Sequence, residues 1–166
     1  MVLALDSLIR TRFPRDTLHI VGFATYARQL TSDELPHVSL TLGNPFTNMQ
    51  DGLRLSEKLI SRDRGRNRQI IIITDGEPTA FCRDGDLYVD YPPTPEIFLE
   101  TMKEVTRLTR KGIVINTFML DDSPFLVEFV EQMTRTNKGR AFYSAPHRLG
   151  EYLLVDYLAR RRRLIN

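Results

Sequence analysis

A run of isoleucines that stops on an aspartate and a glycine constrains the fold of this chain more than any other feature. Residues 70–73 are all isoleucine, and Thr74, Asp75 and Gly76 follow them. β-Branched residues favour strands, and a strand that is apolar on both faces is typical of a parallel sheet covered by helices. In open α/β sheets the ligand crevice lies beyond the carboxyl ends of the strands. The search for a functional site therefore starts at Asp75.

Composition limits the classes of function. The chain has 166 residues, of which 42% are hydrophobic and 27% charged, which predicts one domain over residues 1–166. Its 23 basic and 21 acidic residues give a net charge of +2, so the chain as a whole offers no case for nucleic acid or an anionic membrane. A single cysteine, Cys82, and the lack of a signal-like start predict a reducing, cytoplasmic location.

Helical and strand patterns alternate along the chain. The expected order is a helix ending at Pro14, a strand over 18–24, a returning strand over 27–30, a helix from Thr47, the isoleucine strand, a helix over 95–111, a strand over 113–120, a helix over 124–134, a short strand within 139–144 and a helix over 149–163. This alternation predicts the α/β class, with a Rossmann-like, doubly wound, mostly parallel sheet flanked by helices and right-handed crossovers.

Two local patterns carry further predictions. Thr47 followed three residues later by Gln50 fits a capping box, so Thr47 is expected to cap the helix that begins there. Residues 78–95 combine aromatic residues, prolines and acidic residues, and they predict a loop that forms the rim of a binding face beside Asp75.

Oxygen-bearing side chains are expected at the carboxyl ends of the strands. They are Thr47, Asp75 and the pair Asp121–Asp122. Magnesium prefers hydroxyl, carboxylate and water oxygens, so Thr47 and Asp75 are candidate ligands of one ion. Two protein ligands alone make a weak site.

Three segments carry a resemblance to a known family. They are Val-Gly-Phe-Ala-Thr-Tyr-Ala at 21–27, Thr-Asn-Met-Gln at 47–50 with Leu53, and Ile-Thr-Asp-Gly-Glu-Pro at 73–78. Their order and spacing resemble the von Willebrand factor A (VWA) domain family. In closer detail the chain is similar to bacterial members related to magnesium-chelatase subunits, which are often associated with MoxR-type AAA+ ATPases.

The resemblance implies a metal-ion-dependent adhesion site. In the family this site consists of an Asp-x-Ser-x-Ser loop after the first strand, a threonine and an aspartate, and Thr47 and Asp75 match the last two. The first loop has no counterpart here, and Asp6–Ser7 is interpreted as part of a helix. The chain is therefore expected to be an N-terminally truncated VWA-like domain that lacks the central first strand between residues 18–24 and 69–74. Each buried backbone group left unpaired would cost about 1 to 3 kcal/mol.

Other interpretations of these residues stay open. Thr47 could serve only as a helix cap, and Asp75 could simply form a turn with Gly76. Asp121–Asp122 follows a predicted strand, but Asp122 or Ser123 is expected to cap the helix before Pro124, and the arginines at 160–163 are expected to be solvated at a helix end. The histidines show no zinc-binding spacing.

Three hypotheses about function follow. The first is a non-enzymatic interaction module with a partial adhesion site at Thr47 and Asp75, where Mg²⁺ binding is weak or lost, and with a MoxR-type AAA+ ATPase as partner. Self-association through exposed strand edges is also expected. The second is a metal-assisted hydrolase or phosphohydrolase that uses Asp75, although a Gly-x-x-x-x-Gly-Lys phosphate loop is absent from the sequence. The third is a truncated product without metal function.

Overall fold

The chain contains helices and strands in alternation, as its sequence predicts. A computed structural model describes residues 2–38, 45–63 and 67–143. The elements are α1 (Val2–Arg12), β1 (Ile20–Phe23), β2 (Ala27–Leu30), a short 3-10 helix (Leu35–His37), α2 (Met49–Ile60), β3 (Gln69–Thr74), β4 (Ala80–Arg83), β5 (Asp86–Val89), α3 (Pro95–Arg110), β6 (Val114–Met119), α4 (Pro124–Asn137) and β7 (Ala141–Tyr143). The predicted helix over 149–163 lies outside the described residues. No helix in the described part is long and apolar enough to cross a membrane.

A parallel sheet in the order β3-β6-β7 forms the centre of the domain. β3 pairs with β6 from Gln69↔Val114 to Thr74↔Met119, and β7 pairs with the other edge of β6. The helices α3 and α4 provide the connections between these parallel strands. The predicted α/β class is confirmed.

The isoleucine strand is covered on both faces, which explains its composition. Ile70 and Ile72 lie in the main core cluster with side chains from α2, α3 and α4. Ile71 and Ile73 pack on the opposite side against a smaller cluster that contains Ile9 of α1 and Phe118 of β6. Alternate residues of β3 therefore serve two apolar layers, as a period of two requires.

The strands β1 and β2 form the predicted hairpin, separate from the parallel sheet. They are antiparallel from Ile20↔Leu30 to Phe23↔Ala27, so β1 is shorter than the predicted 18–24. Among the described residues β1 pairs only with β2, and β3 pairs only with β6. One backbone edge of each strand is thus without a strand partner. The loss of a central strand stays a prediction.

The prediction of a loop over residues 78–95 is wrong in part, because β4 and β5 form a second hairpin there. Its turn residues Asp84 and Gly85 have positive φ values of 54° and 94°. A two-residue turn with positive φ at both positions favours Asp-Gly and matches the twist of the strands that it joins. The apolar residues on both sides of Asp84–Gly85 are the signal for this hairpin.

The prediction that Thr47 caps α2 is also wrong. Asn48 is the cap, since its side-chain oxygen accepts the N–H of Asp51. Asparagine is a stronger cap than threonine. Gln50 does not complete a capping box, because its side-chain oxygen instead accepts the N–H of Cys82 on β4.

An ion cluster fastens the β4–β5 hairpin to α3. Arg83 of β4 donates to Glu96 at 2.8 Å and to Glu100 at 2.6 Å, and Lys103 also donates to Glu100 at 2.6 Å. The hydrogen bond from Lys103, followed by that from Arg83, holds the pKa of Glu100 below its ordinary value of 4.5, although burial opposes this. Glu100 therefore favours folding in its charged form.

Replacement of Glu100 tests this fastening. The carboxylate of Glu100 should stabilise the fold at pH values above 4.5, and this contribution should vanish as the pH falls through its lowered pKa. We expect Glu100→Gln to lower the free energy of unfolding by about 1–2 kcal/mol at neutral pH and by much less in acid. Urea unfolding across this pH range measures both values. The control is Glu131→Gln, whose exposed pair with Arg135 should contribute little at any pH.

The edges of β1 and β3 that have no strand partner in the described part of the chain generate a second prediction. Exposed strand edges recruit other chains, so the isolated chain should self-associate or be marginally stable. A peptide that carries the first strand of a VWA domain should bind between them and raise the melting temperature. Sedimentation velocity and thermal melts measure both effects. A stable monomer whose melting temperature does not change when the peptide is added would show that these edges are protected in another way.

Candidate functional site

Asp75 lies where the sequence places it, directly after β3 and exposed to solvent. The turn that presents it is held by the neighbouring Thr74, which is buried. The hydroxyl of Thr74 donates to the carbonyl of Gly76 at 2.8 Å and accepts the Gly76 N–H at 3.3 Å. This arrangement fixes the backbone on both sides of Asp75 and leaves its carboxylate accessible.

Thr47 is half-buried, and backbone hydrogen bonds join it to the loop after Asp75. Its N–H donates to the hydroxyl of Thr79 at 2.8 Å. Its carbonyl accepts the N–H groups of Thr79 at 3.0 Å and Ala80 at 3.3 Å. These bonds join Thr47 to residues that follow Asp75 by four and five positions. Since Asn48 caps α2, the Thr47 hydroxyl is not required for capping.

The buried side chain of Asn48 connects three segments at this site. Its amide nitrogen donates to the carbonyl of Thr25 at 3.1 Å and to Cys82 Sγ at 3.3 Å, while its oxygen accepts the Asp51 N–H at 3.0 Å. Its backbone N–H donates to the carbonyl of Ala24 at 2.7 Å. Asn48 therefore positions Thr47 relative to the β1–β2 turn and to β4.

Two further side chains of α2 hold β4 in place. Gln50 accepts the N–H of Cys82 at 2.8 Å, and Arg54 donates to the carbonyl of the same residue at 3.0 Å. Arg54 also donates to Glu104 of α3 at 2.7 Å. The outer backbone edge of β4 is thereby satisfied by side chains instead of another strand.

Two buried polar atoms near this network have no partner within the part of the chain that the structure describes. They are the hydroxyl oxygen of Thr25 and the amide nitrogen of Gln50. Buried polar atoms are seldom left unpaired, so each one invites an explanation. Thr25 adds a hydroxyl oxygen to a segment that is already bonded to Asn48.

Asp121 and Asp122 follow β6 at the same end of the sheet, where the Leu120 N–H donates to the carbonyl of Thr74 at 2.9 Å. Asp121 accepts the N–H of Ser123 at 2.7 Å, and Ser123 caps α4. Of the two predicted caps, Asp122 and Ser123, Ser123 is the residue that caps α4. Within residues 2–38, 45–63 and 67–143, no three His, Cys, Asp or Glu side chains are grouped closely enough to hold a metal ion.

Asp6 and Ser7 lie inside α1, as interpreted from the sequence. The Asp6 carboxylate accepts from the hydroxyl of Ser32 at 2.7 Å and from Arg10 Nε at 2.9 Å. The hydrogen bond from Ser32, and then that from Arg10, lowers the pKa of Asp6. These contacts connect α1 to the segment after β2, so this Asp-Ser pair belongs to a helix and not to a loop that follows a strand.

Sequence reasoning missed Asn48, whose side chain bonds to three separate segments at the site. A signal was present, because two adjacent capping residues preceded the helix and asparagine is the stronger cap. Its bonds to Thr25 and Cys82 depend on long-range packing, which the local sequence does not show.

Comparisons with known proteins support the fold. The chain is similar in structure to BatB from Bacteroides thetaiotaomicron, with a TM-score of 0.60 and 14% identity over 98% of this chain and 87% of that one. It is also similar to the SpRpn10 VWA domain, with a TM-score of 0.53 and 12% identity over 87% and 72% of the two chains. At these identities the likeness shows the fold alone.

Sequence comparison gives the family. The chain is 34% identical to uncharacterized protein Rv0959 of Mycobacterium tuberculosis and to uncharacterized protein Mb0984 of Mycobacterium bovis. Each match covers 97% of this chain and 25% of the relative, so the chain spans about a quarter of the length of these relatives. Residues 1–158 match the family described as "Rv0959-like protein, vWA domain". Because this match extends over nearly the whole sequence, the chain belongs to the Rv0959-like family of VWA domains.

Proposed function

We propose that this chain is a non-catalytic interaction module that binds a carboxylate of a partner protein through a weakly held Mg²⁺ at Thr47 and Asp75. The observation that carries the proposal is the set of hydrogen bonds from Thr47 to Thr79 and Ala80, which follow Asp75 by four and five positions. The exposed Asp75 carboxylate and the hydroxyl of Thr47, which is not needed for capping, are the groups offered to the ion.

The donor chemistry fits Mg²⁺ in type but not in number. Hydroxyl and carboxylate oxygens are the hard ligands that this ion prefers, and it commonly keeps several waters. Among the described residues, no group of three His, Cys, Asp or Glu side chains could hold the ion by itself. Thr25, with its unpartnered buried hydroxyl, supports a polar environment without supplying charge. When bound, the ion would supply positive charge and open coordination positions for a carboxylate.

The proposed partner is a MoxR-type AAA+ ATPase, in an assembly where this chain serves as an adaptor. Support comes from the resemblance of residues 21–27, 47–53 and 73–78 to magnesium-chelatase-related VWA domains. A cytoplasmic location is part of the same proposal and is supported by the single cysteine. Self-association through the unpaired edges of β1 and β3 is a further proposal about partners.

The non-catalytic part of the proposal is supported by the chemistry around the nucleophile candidates. Cys82 Sγ accepts a hydrogen bond from the Asn48 amide, which cannot act as a base. No specific contact favours the alternative of a hydrolase that uses Asp75.

Magnesium titration tests the proposed site. Because water must provide most of the ligands, we expect a dissociation constant on the order of millimolar or weaker. In a two-dimensional amide NMR spectrum, Mg²⁺ should shift the signals of Thr47, Asn48, Asp75 and Gly76 in a saturable manner. Asp75→Asn and Thr47→Val should each remove this response while leaving the rest of the spectrum in place.

The matched control is Asp33→Asn, which removes an exposed carboxylate outside the site and should leave the response unchanged. Tight binding that Asp75→Asn abolishes would show that other residues complete the shell and that the count of ligands is wrong. Shifts that persist in both site variants, or no saturable shift at all, would remove the metal from the proposal.

A further inference from the structure

The β4–β5 hairpin has one occupied edge and one open edge. On β4, the N–H and carbonyl of Cys82 point away from β5 and are bound by Gln50 and Arg54 of α2. The hairpin is also fixed by the turn at Asp84–Gly85 and by the bonds from Arg83 to α3. It is therefore a firmly supported strand pair with a defined outer edge on β5.

The pairing pattern identifies the backbone groups on that edge. Arg83↔Asp86 closes the two-residue turn, so it is a hydrogen-bonded pair, and such pairs alternate along an antiparallel ladder. Phe81↔Tyr88 is the next hydrogen-bonded pair. The N–H and carbonyl groups of Leu87 and Val89 consequently point outward, and no described residue bonds to them. This edge can accept an additional strand.

Three exposed side chains along the edge are apolar or aromatic. Tyr88 is 43% exposed and stacks on buried Phe81, with ring centroids 4.9 Å apart. Val89 is 42% exposed and Tyr91 is 79% exposed. Exposed aromatic rings held by a buried partner provide contact area with little loss of side-chain entropy.

The charges along the edge have one sign. Asp84, Asp86 and Asp90 are exposed, and residues 84–96 include no lysine or arginine. Arg83, the neighbouring cation, is already bound to Glu96 and Glu100. A second copy of this chain would bring the same carboxylates to the edge, where like charges oppose pairing. A cationic segment would instead be attracted, and its lysine or arginine groups could also contact the exposed ring of Tyr91, whereas the Arg83 guanidinium already lies over the Tyr88 ring at 5.8 Å.

We propose that the outer edge of β5 is a docking site for an extended, lysine- or arginine-bearing segment of a partner protein, which adds as a third strand to the hairpin. Backbone bonds to Leu87 and Val89 provide the affinity, and Asp86 and Asp90 select positive charge. This site is separate from Thr47 and Asp75 and needs no metal ion.

The experiment uses the whole chain in the presence of a chelator, so that its result is independent of the proposed magnesium site. The probes are the peptides acetyl-Lys-Val-Lys-Val-Lys-amide and acetyl-Glu-Val-Glu-Val-Glu-amide. The lysine peptide should bind more tightly at low salt, lose this advantage at high salt and slow the hydrogen exchange of the Leu87 and Val89 amides several-fold. NMR titration and amide exchange measure these effects.

Two matched pairs of variants locate the contact. Val89→Pro removes an outward N–H that β4 does not use, so it should weaken binding about tenfold, whereas Val89→Thr retains the N–H and should bind like the parent. Asp86→Asn with Asp90→Asn should weaken lysine-peptide binding about fivefold, whereas Asp33→Asn should not change it. Asp86→Lys with Asp90→Lys should transfer the preference to the glutamate peptide, and this test does not depend on whether Val89→Pro folds.

Several outcomes would overturn the proposal. They are equal binding of the two peptides, binding of neither peptide, protection of amides elsewhere than on β5, and lysine-peptide binding that survives in a folded Val89→Pro chain. Self-association that Val89→Pro abolishes would show that a second copy is the occupant, which also contradicts the proposal.

Discussion

The buried amide of Asn48 is the contact on which the arrangement of the candidate site depends. One side chain bonds to the turn between β1 and β2, to β4 and to the first turn of α2. Its loss would leave the buried carbonyl of Thr25 without this partner, at a cost of about 1–3 kcal/mol, and would remove the cap from the half-buried N–H of Asp51. Thr47, one residue before it, is positioned by the same network and by its bonds to Thr79 and Ala80. The geometry of the site is thus a consequence of how α2 begins.

Helix α2 also connects the two structural halves of the domain. Its apolar side, with Met49 and Leu53, packs in the cluster that includes Ile70 and Ile72 of the parallel sheet. Its polar residues hold the hairpins, through Asp51 to the Ala27 N–H and through Gln50 to β4. The parallel sheet provides Asp75, whereas α2 and the hairpins provide Thr47 and the surrounding surface. A partner that binds at both Asp75 and Thr47 would therefore contact the parallel sheet and the segments held by α2.

Much of the fold follows from local patterns, whereas the contacts around the site do not. The isoleucine run, the Ser123–Pro124 helix start and the stop at Gly112, where φ is 70°, each depend on nearby residues and were predicted correctly. The second hairpin is harder to predict, because the aromatic residues and prolines of 78–95 are typical of a loop. The turn pair Asp84–Gly85 indicates a hairpin there. The roles of Asn48 and Gln50 could not be predicted, since their partners lie far away in sequence and are determined by packing. Thr47 and Asp75 are candidates because of their oxygen chemistry at the strand ends and because of the family resemblance, and their role as ligands stays a prediction.

Amide hydrogen exchange in Asn48→Ala tests most directly whether this residue organises the site. The account predicts faster exchange at Asp51, at Thr79 and Ala80, and at Cys82, with little change at the β3–β6 ladder. The matched control is Asn137→Ala, because Asn137 is also buried and bonds to Ile113 and to Ile115 of β6, far from the site in sequence. That variant should accelerate exchange at Ile115 and leave the residues of the site protected. Faster exchange at Asp51 alone in Asn48→Ala would mean that Asn48 is only a helix cap, which would contradict the account.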